Sequence, residues 1–313
     1  MTAKQTFSEG ASQASADIAS DIASAEVLAT LPEGNFLENL AVGPDDAFYI
    51  TSYVSREILR YHPNDGLSRF IELDCHPVGI VFDGDGTAYL CTHQTEIFSV
   101  KDTSKNNAIY RMDLEGNLDR WKIVEGAGFL NGMVCLAPGQ LAIADSILGA
   151  IWQTDIVADT VELWIRDPRL EKTSLLSHAP AANGLKLFNG QLYISNFDRQ
   201  IFLRVPIMES GAVGKIEIVH ENLEIDDFTF SQNGTLYGAT HRDQVLRIKP
   251  NGERHVIAGI EQGILGNTAV AFGQTALEQT KLYVISDGGL ALGPELQMAK
   301  IVRLEVNERG YQG

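Results

Sequence analysis

Between residues 38 and 306 the chain repeats one arrangement of apolar and polar positions. A strand of alternating apolar residues, a glycine turn, a second apolar strand, a polar loop and a third strand recur six times. The copies open at ENLAVGPDDAFYITS, VGIVFDGDGTAYLCT, NGMVCLAPGQLAIAD, NGLKLFNGQLYISN, DDFTFSQNGTLYGAT and NTAVAFGQTALEQTKLYVIS. Their first residues are Glu38, Val78, Asn131, Asn183, Asp226 and Asn267, giving spacings of 40, 53, 52, 43 and 41. Period-two alternation marks strands, and a repeat of this length belongs to a propeller blade rather than a helical solenoid. The turns DGDG, PGQ, NGQ and QNGT supply glycine where a hairpin needs positive φ. Third strands follow at REILRY, NAIYRMD, GAIWQTD, QIFLRV, QVLRIK and KIVRLEV, and outer strands at SRFIEL, DRWKIV, VELWIR, KIEIVH and ERHVIA.

Four strands per copy predict an all-β, six-bladed β-propeller. The last copy ends without an outer strand, while AEVLATL at 25–31 precedes the first copy with nothing else to pair with. That N-terminal strand is expected to complete blade six, close the ring and remove an open sheet edge. The expected organisation is a mobile leader over 1–24 and one propeller domain over 25–313.

In a propeller, equivalent residues of all blades converge at one end of the central channel. Glu38, Asn131, Asn183 and Asp226 share such a repeat phase and carry carboxylate or amide oxygens. Two carboxylates brought together repel, and a hard cation resolves the conflict. Calcium takes six to eight oxygen ligands, whereas a set without histidine or cysteine suits zinc poorly. One divalent cation is therefore expected, Ca²⁺ ahead of Mn²⁺, Mg²⁺ or Zn²⁺. Asn and Asp also bond turn backbone, so one of them alone would carry no such reading. Successive strand residues face opposite sides, and counting back from GTLY against GQLY puts Asp226, not Asp227, beside Asn183. The insertion in the sixth copy leaves Asn267 and Thr268 equally placed, and neither is counted as a ligand.

The formal charge is −17, from 24 basic and 41 acidic side chains, which argues against binding nucleic acid or an anionic membrane surface. A small-molecule substrate fits better. Cys75, Cys91 and Cys135 show no paired metal-site spacing and read as buried thiols of a reducing compartment. The leader lacks the apolar core of a signal peptide, and no run has the roughly 18 apolar residues of a membrane helix. A cytoplasmic location is expected.

The glutamate of ENLAV, the NGM and NGL openings of blades three and four and the aspartate opening blade five resemble the senescence marker protein, gluconolactonase and regucalcin family. The resemblance spans about residues 25–307, and is more distant to strictosidine synthase and paraoxonase propellers. It implies a six-bladed propeller with a catalytic divalent ion held by Glu38, Asn183 and Asp226, Asn131 being a further ligand or substrate contact. It implies lactone hydrolysis, with Asp226 as acid/base. Sugar-lactone members carry an arginine where this chain has Phe129, so Phe129 is expected to contact a more apolar lactone or ester.

The chemistry also follows from the residues. A cation polarises a carbonyl and acidifies water, and a neighbouring carboxylate takes the proton. His93 and His241 follow second strands and are left outside the catalytic set. Ser146 lacks a nucleophile elbow, and DGDG and DGGLALG precede no helix that would bind phosphate. Trp121, Trp152 and Trp164 fall on third or outer strands and suit packing between blades. Two other functions compete: a strictosidine-synthase-like enzyme of secondary metabolism, and a non-catalytic calcium-binding propeller.

Overall fold

The structure is a computed structural model that describes residues 19–97, 99, 102–174, 177, 179–208, 210–292 and 296–312. Six antiparallel sheets follow one another round a ring. Blade one comprises Leu37–Val42, Phe48–Ser52, Glu57–His62 and Gly66–Glu72, from the channel outward. The next four inner strands are His76–Phe82, Leu130–Ala137, Ala182–Phe188 and Phe228–Phe230. Blade six is built from Asn267–Phe272, Lys281–Ser286 and Met298–Glu305, with Ser24–Glu33 as its outer strand. Ala25 pairs with Leu304 and Thr30 with Lys300, so the N-terminal strand closes the ring as the alternation requires. No helix among the described residues is long and apolar enough to cross a membrane.

Of the leader, residues 1–18 lie outside the described residues. Ala19–Ser20 adds a fifth strand to blade five, parallel to Arg254–Ala258, and Asp21 pairs with Arg247. The core lies between blades, where the inward faces of adjacent sheets meet. At the closure, Phe48 of blade one lies 4.0 Å from Tyr283 of blade six, centroid to centroid, both buried. Truncating such a buried aromatic typically costs about 3–5 kcal/mol. Cys75 and Cys91 are buried, Cys135 is only half-buried, and all three are free.

Adjacent blades are also latched near the channel by side chains that donate to a backbone carbonyl in or just before a neighbour's inner strand. Thr51 Oγ1 donates to Val78 O at 2.6 Å, Cys91 Sγ to Asn131 O at 2.8 Å and Ser146 Oγ to Ala182 O at 2.7 Å. Ser195 Oγ donates to Asp226 O at 2.7 Å, and Thr268 Oγ1 to Leu37 O at 2.6 Å, across the closure. Each latch fixes backbone at or beside the repeat phase that begins the next blade.

Candidate active site

The phase residues leave the regular ladder for a local reason. Pairing between inner and second strands slips between Leu37 and Asn39, Pro77 and Ile80, Leu130 and Met133, Ala182 and Leu185, and Asn267 and Ala269. Such bulges re-aim a side chain, and in blades one, three and four the side chains concerned, Glu38, Asn131 and Asn183, line the channel cavity. In blade five Asp226 stands just before the strand and donates its N–H to Ala239 O at 2.8 Å. The glycines after Asn131 and Asn183 answer a close approach by the next blade. A Cβ on Gly132 would sit 2.4 Å from Asn183 O, and one on Gly184 would sit 2.6 Å from Asp227 Oδ1.

Glu38, Asn131, Asn183 and Asp226 line one cavity of about 660 Å³, with Phe129 in its wall. The four polar residues are buried. The Asn183 amide donates to Asp226 Oδ1, and Asn131 Nδ2 donates to Ser146 Oγ at 3.2 Å. Asp227 faces away from this set: its carboxylate takes Lys186 Nζ at 2.6 and 2.8 Å. Asn267 spends its amide on the backbone of Thr240 and Gln244, and it does not line the cavity.

Two residues outside the expected set join the site. His241 Nδ1 lies 2.8 Å from Asp226 Oδ2, and its Nε2 lies 3.3 Å from Asp287 Oδ2. Asp287 is fully buried and is itself held by the amides of Gly289 and Ala291. The imidazole lies near the rings of Phe36 and Phe197, at centroid distances of 5.9 and 6.2 Å. A second repeat phase carries the signal for Asp287 and falls one residue short of His241: the second strands end in or just before His93, Asp145, Asn196, Thr240 and Asp287, polar groups all. In blades three and four those groups bond backbone amides, as Asp145 does with Gly128 and Phe129. In blade six Asp287 reaches the cavity, while in blade five Thr240 donates to the Gln244 carbonyl and the next residue, His241, lines the cavity.

His93 differs. It is buried behind the wall, with Nδ1 3.1 Å from the Tyr53 hydroxyl and its ring edge-on to Phe129 at 4.6 Å. Burial drives its pKa down to about 3, so it stays neutral. Ser146 Oγ is committed to the Ala182 carbonyl.

The charges do not balance. Burial first, and then the Asp226 carboxylate, push the Glu38 pKa up to about 8. Burial disfavours charge on His241, but Asp226 and Asp287 outweigh it and hold the imidazole well above its ordinary range. One imidazolium therefore sits among three carboxyl groups, those of Glu38, Asp226 and Asp287. Glu38 Oε2 is buried with no hydrogen-bond partner among the described residues, and such a group is costly unless something binds it. Among the described residues no three histidine, cysteine, aspartate or glutamate side chains form a metal cluster by themselves. The amide oxygens of Asn131 and Asn183 would complete an oxygen-rich set of the kind a hard cation takes.

This arrangement defines a six-bladed β-propeller whose channel ends in a cavity lined by carboxylates and amides. Its fold is that of a luciferin-regenerating enzyme at 15% identity and a TM-score of 0.70, covering 93% of this chain and 98% of that one. It is also that of the calcium-binding protein regucalcin from Agrobacterium tumefaciens str. C58, at 15% identity and 0.70, covering 94% and 97%. A gluconolactonase from Xanthomonas campestris aligns at 14% identity and 0.64, covering 90% of each chain. These neighbours are senescence marker protein/gluconolactonase-like propellers, and the likeness is one of fold. No protein-family model matches the chain, and no curated protein matches its sequence.

Proposed function

We propose that this propeller is a divalent-cation-dependent hydrolase that opens a lactone or related ester, with Asp226 as the base. The observation that carries the reading is the convergence of Glu38, Asn131, Asn183 and Asp226 on one cavity, with a buried Glu38 oxygen left unpartnered. The gluconolactonase and calcium-binding regucalcin among the neighbours support it. Glu38, Asn183 and Asp226, with Asn131, would hold the ion, Ca²⁺ first among the candidates. When bound, it supplies Lewis-acid polarisation of the ester carbonyl.

The chain's own residues do the rest. Asn183 and His241 fix the two oxygens of Asp226, and Asp287 holds the far side of the imidazole. Asp226 accepts the proton of the attacking water as the water oxygen bonds to the carbonyl carbon; the ring or ester C–O bond then breaks, and Asp226 returns that proton to the leaving oxygen. Phe129 and Phe36 keep bulk water from the reacting group. A panel of lactones and esters, assayed after chelation and again with Ca²⁺, Mn²⁺, Mg²⁺ or Zn²⁺ restored, tests the reading. Cation-restored hydrolysis is expected; turnover unaffected by chelation, or none with any cation, would contradict it.

A further inference from the structure

The mouth of the cavity carries a feature that hydrolysis of a small polar lactone would not require. Val54, Ile147, Leu290 and Leu292 all line the cavity, yet remain 48%, 44%, 38% and 37% exposed. Single exposed apolar side chains are ordinary; a ring of them round one opening marks a binding surface. They come from loops of blades one, three and six, each anchored by hydrogen bonds. Ile147 and Leu148 donate their amides to Asp145 Oδ1 at 3.2 and 2.9 Å. Ala291 donates its amide to Asp287 Oδ2 at 3.0 Å, and Tyr53 donates its amide to Phe36 O at 2.8 Å.

Below the rim the wall continues as Phe36, Tyr53, Ile97, Phe129 and Phe197, and oxygen donors stand beyond it. The basic residues in the lining are already engaged: Arg242 with Glu224, Lys172 with the Ser177 carbonyl and His241 with two aspartates. A volume of about 660 Å³ falls in the range that takes a drug-sized ligand.

Resting on the lactone or ester reading above, we propose that the substrate is an uncharged amphiphile. Its carbonyl group reaches the oxygen-lined floor, and an alkyl chain or ring system of drug-like size leaves through the mouth across Val54, Ile147, Leu290 and Leu292. The net charge of −17 and the engaged cations disfavour a phosphorylated or carboxylated substrate. An apolar body gains from each methylene taken out of water, about fourfold in affinity.

A series of γ-lactones with alkyl chains of increasing length, assayed with wild-type and Ile147→Ser/Leu290→Ser protein, tests this. In the wild type kcat/KM should rise severalfold per methylene until the chain passes the rim; in the variant the rise should flatten for the longer members. Wild-type values flat or falling with chain length would overturn the proposal. Calorimetric binding of the matching alkyl lactams separates it from the hydrolase reading. Chain-length-dependent lactam binding without lactone opening would keep the apolar site and remove the hydrolase. Lactone opening with neither lactams nor chain length mattering would do the reverse. Rim-dependent sedimentation with phosphatidylcholine vesicles, without chain-length dependence, would assign the rim to a lipid surface and overturn it.

Discussion

The two ends of the propeller use acidic residues differently. At the end made of tight turns, Asp45, Asp83 and Asp113 all have partners. Asp45 takes Arg60 at 2.7 Å and the Ala47 amide, Asp83 takes the amides of Gly84 and Gly139, and Asp113 takes the amide and side chain of Asn117. At the loop end, Glu38 keeps an oxygen without a partner while it, Asp226 and Asp287 face one imidazole. The consequences run in opposite directions. Burial of Asp45 is outweighed by its bonds from Arg60 and Ala47, and its carboxyl is held below the usual range; burial and Asp226 push Glu38 up to about 8. Turn-end acids stabilise the fold, and loop-end acids are held against its preference, as residues kept for function often are.

That contrast can be broken first within one pair of neighbours. Asp226→Asn keeps an oxygen but removes the base, so kcat should fall by about 10² to 10⁴ while the fold survives. Asp227→Asn strips Lys186 of its partner and should cost about 1–3 kcal/mol of stability while kcat stays within a few fold. Reversed outcomes would mean that the wrong aspartate has been placed at the reacting group. Next, the ordinary Glu38 value of 4.5 rises to about 8 on folding. The chelated protein therefore loses this group's share of stability as pH climbs from 4.5 through 8, about 3 kcal/mol by pH 7. Glu38→Gln should recover that amount at pH 7 and nothing at pH 4, in denaturant titrations with chelator present.

His93 has the opposite sign. Its value drops from 6.5 to about 3 on folding, so nothing is lost above pH 6.5, and stability falls as the unfolded chain takes up a proton that the folded chain refuses. At pH 5 the penalty is about 2 kcal/mol, and His93→Gln should remove this pH-dependent part. The smallest effect belongs to the turn end: Asp45→Asn weakens a partly exposed ion pair and should cost about 1 kcal/mol or less, with kcat unchanged.

The strands were legible because each blade buries alternate residues against its neighbours, leaving a period of two and a glycine at each hairpin. Ring closure was legible because AEVLATL alternates and the last copy lacks a partner strand. Asn131, Asn183 and Asp226 could be aligned by counting from the turns, and the structure brings them together with Glu38. The bulges beside Glu38, Asn131 and Asn183 were hidden, because a slip in a ladder changes pairing without changing the alternation around it. His241 was set aside and Asp287 missed for a related reason: each stands where a strand passes into a loop, and the loop's course decides whether a polar side chain bonds backbone, like Asp145, or enters the channel. The addition of Ala19–Ser20 to blade five is pairing by backbone, with no side-chain pattern to announce it.

Calorimetric titration of the chelated wild-type protein with Ca²⁺, alongside Glu38→Gln, addresses the loop-end site directly. One ion per chain is expected for the wild type, with affinity weakened at least about tenfold in the variant, the scale at which a site's own ligands and their supports act. Absence of binding heat and of any thermal shift with Ca²⁺, Mn²⁺, Mg²⁺ and Zn²⁺ alike would contradict a cation site and leave Asp226 held by Asn183 and His241, with Glu38 a buried carboxyl group beside them.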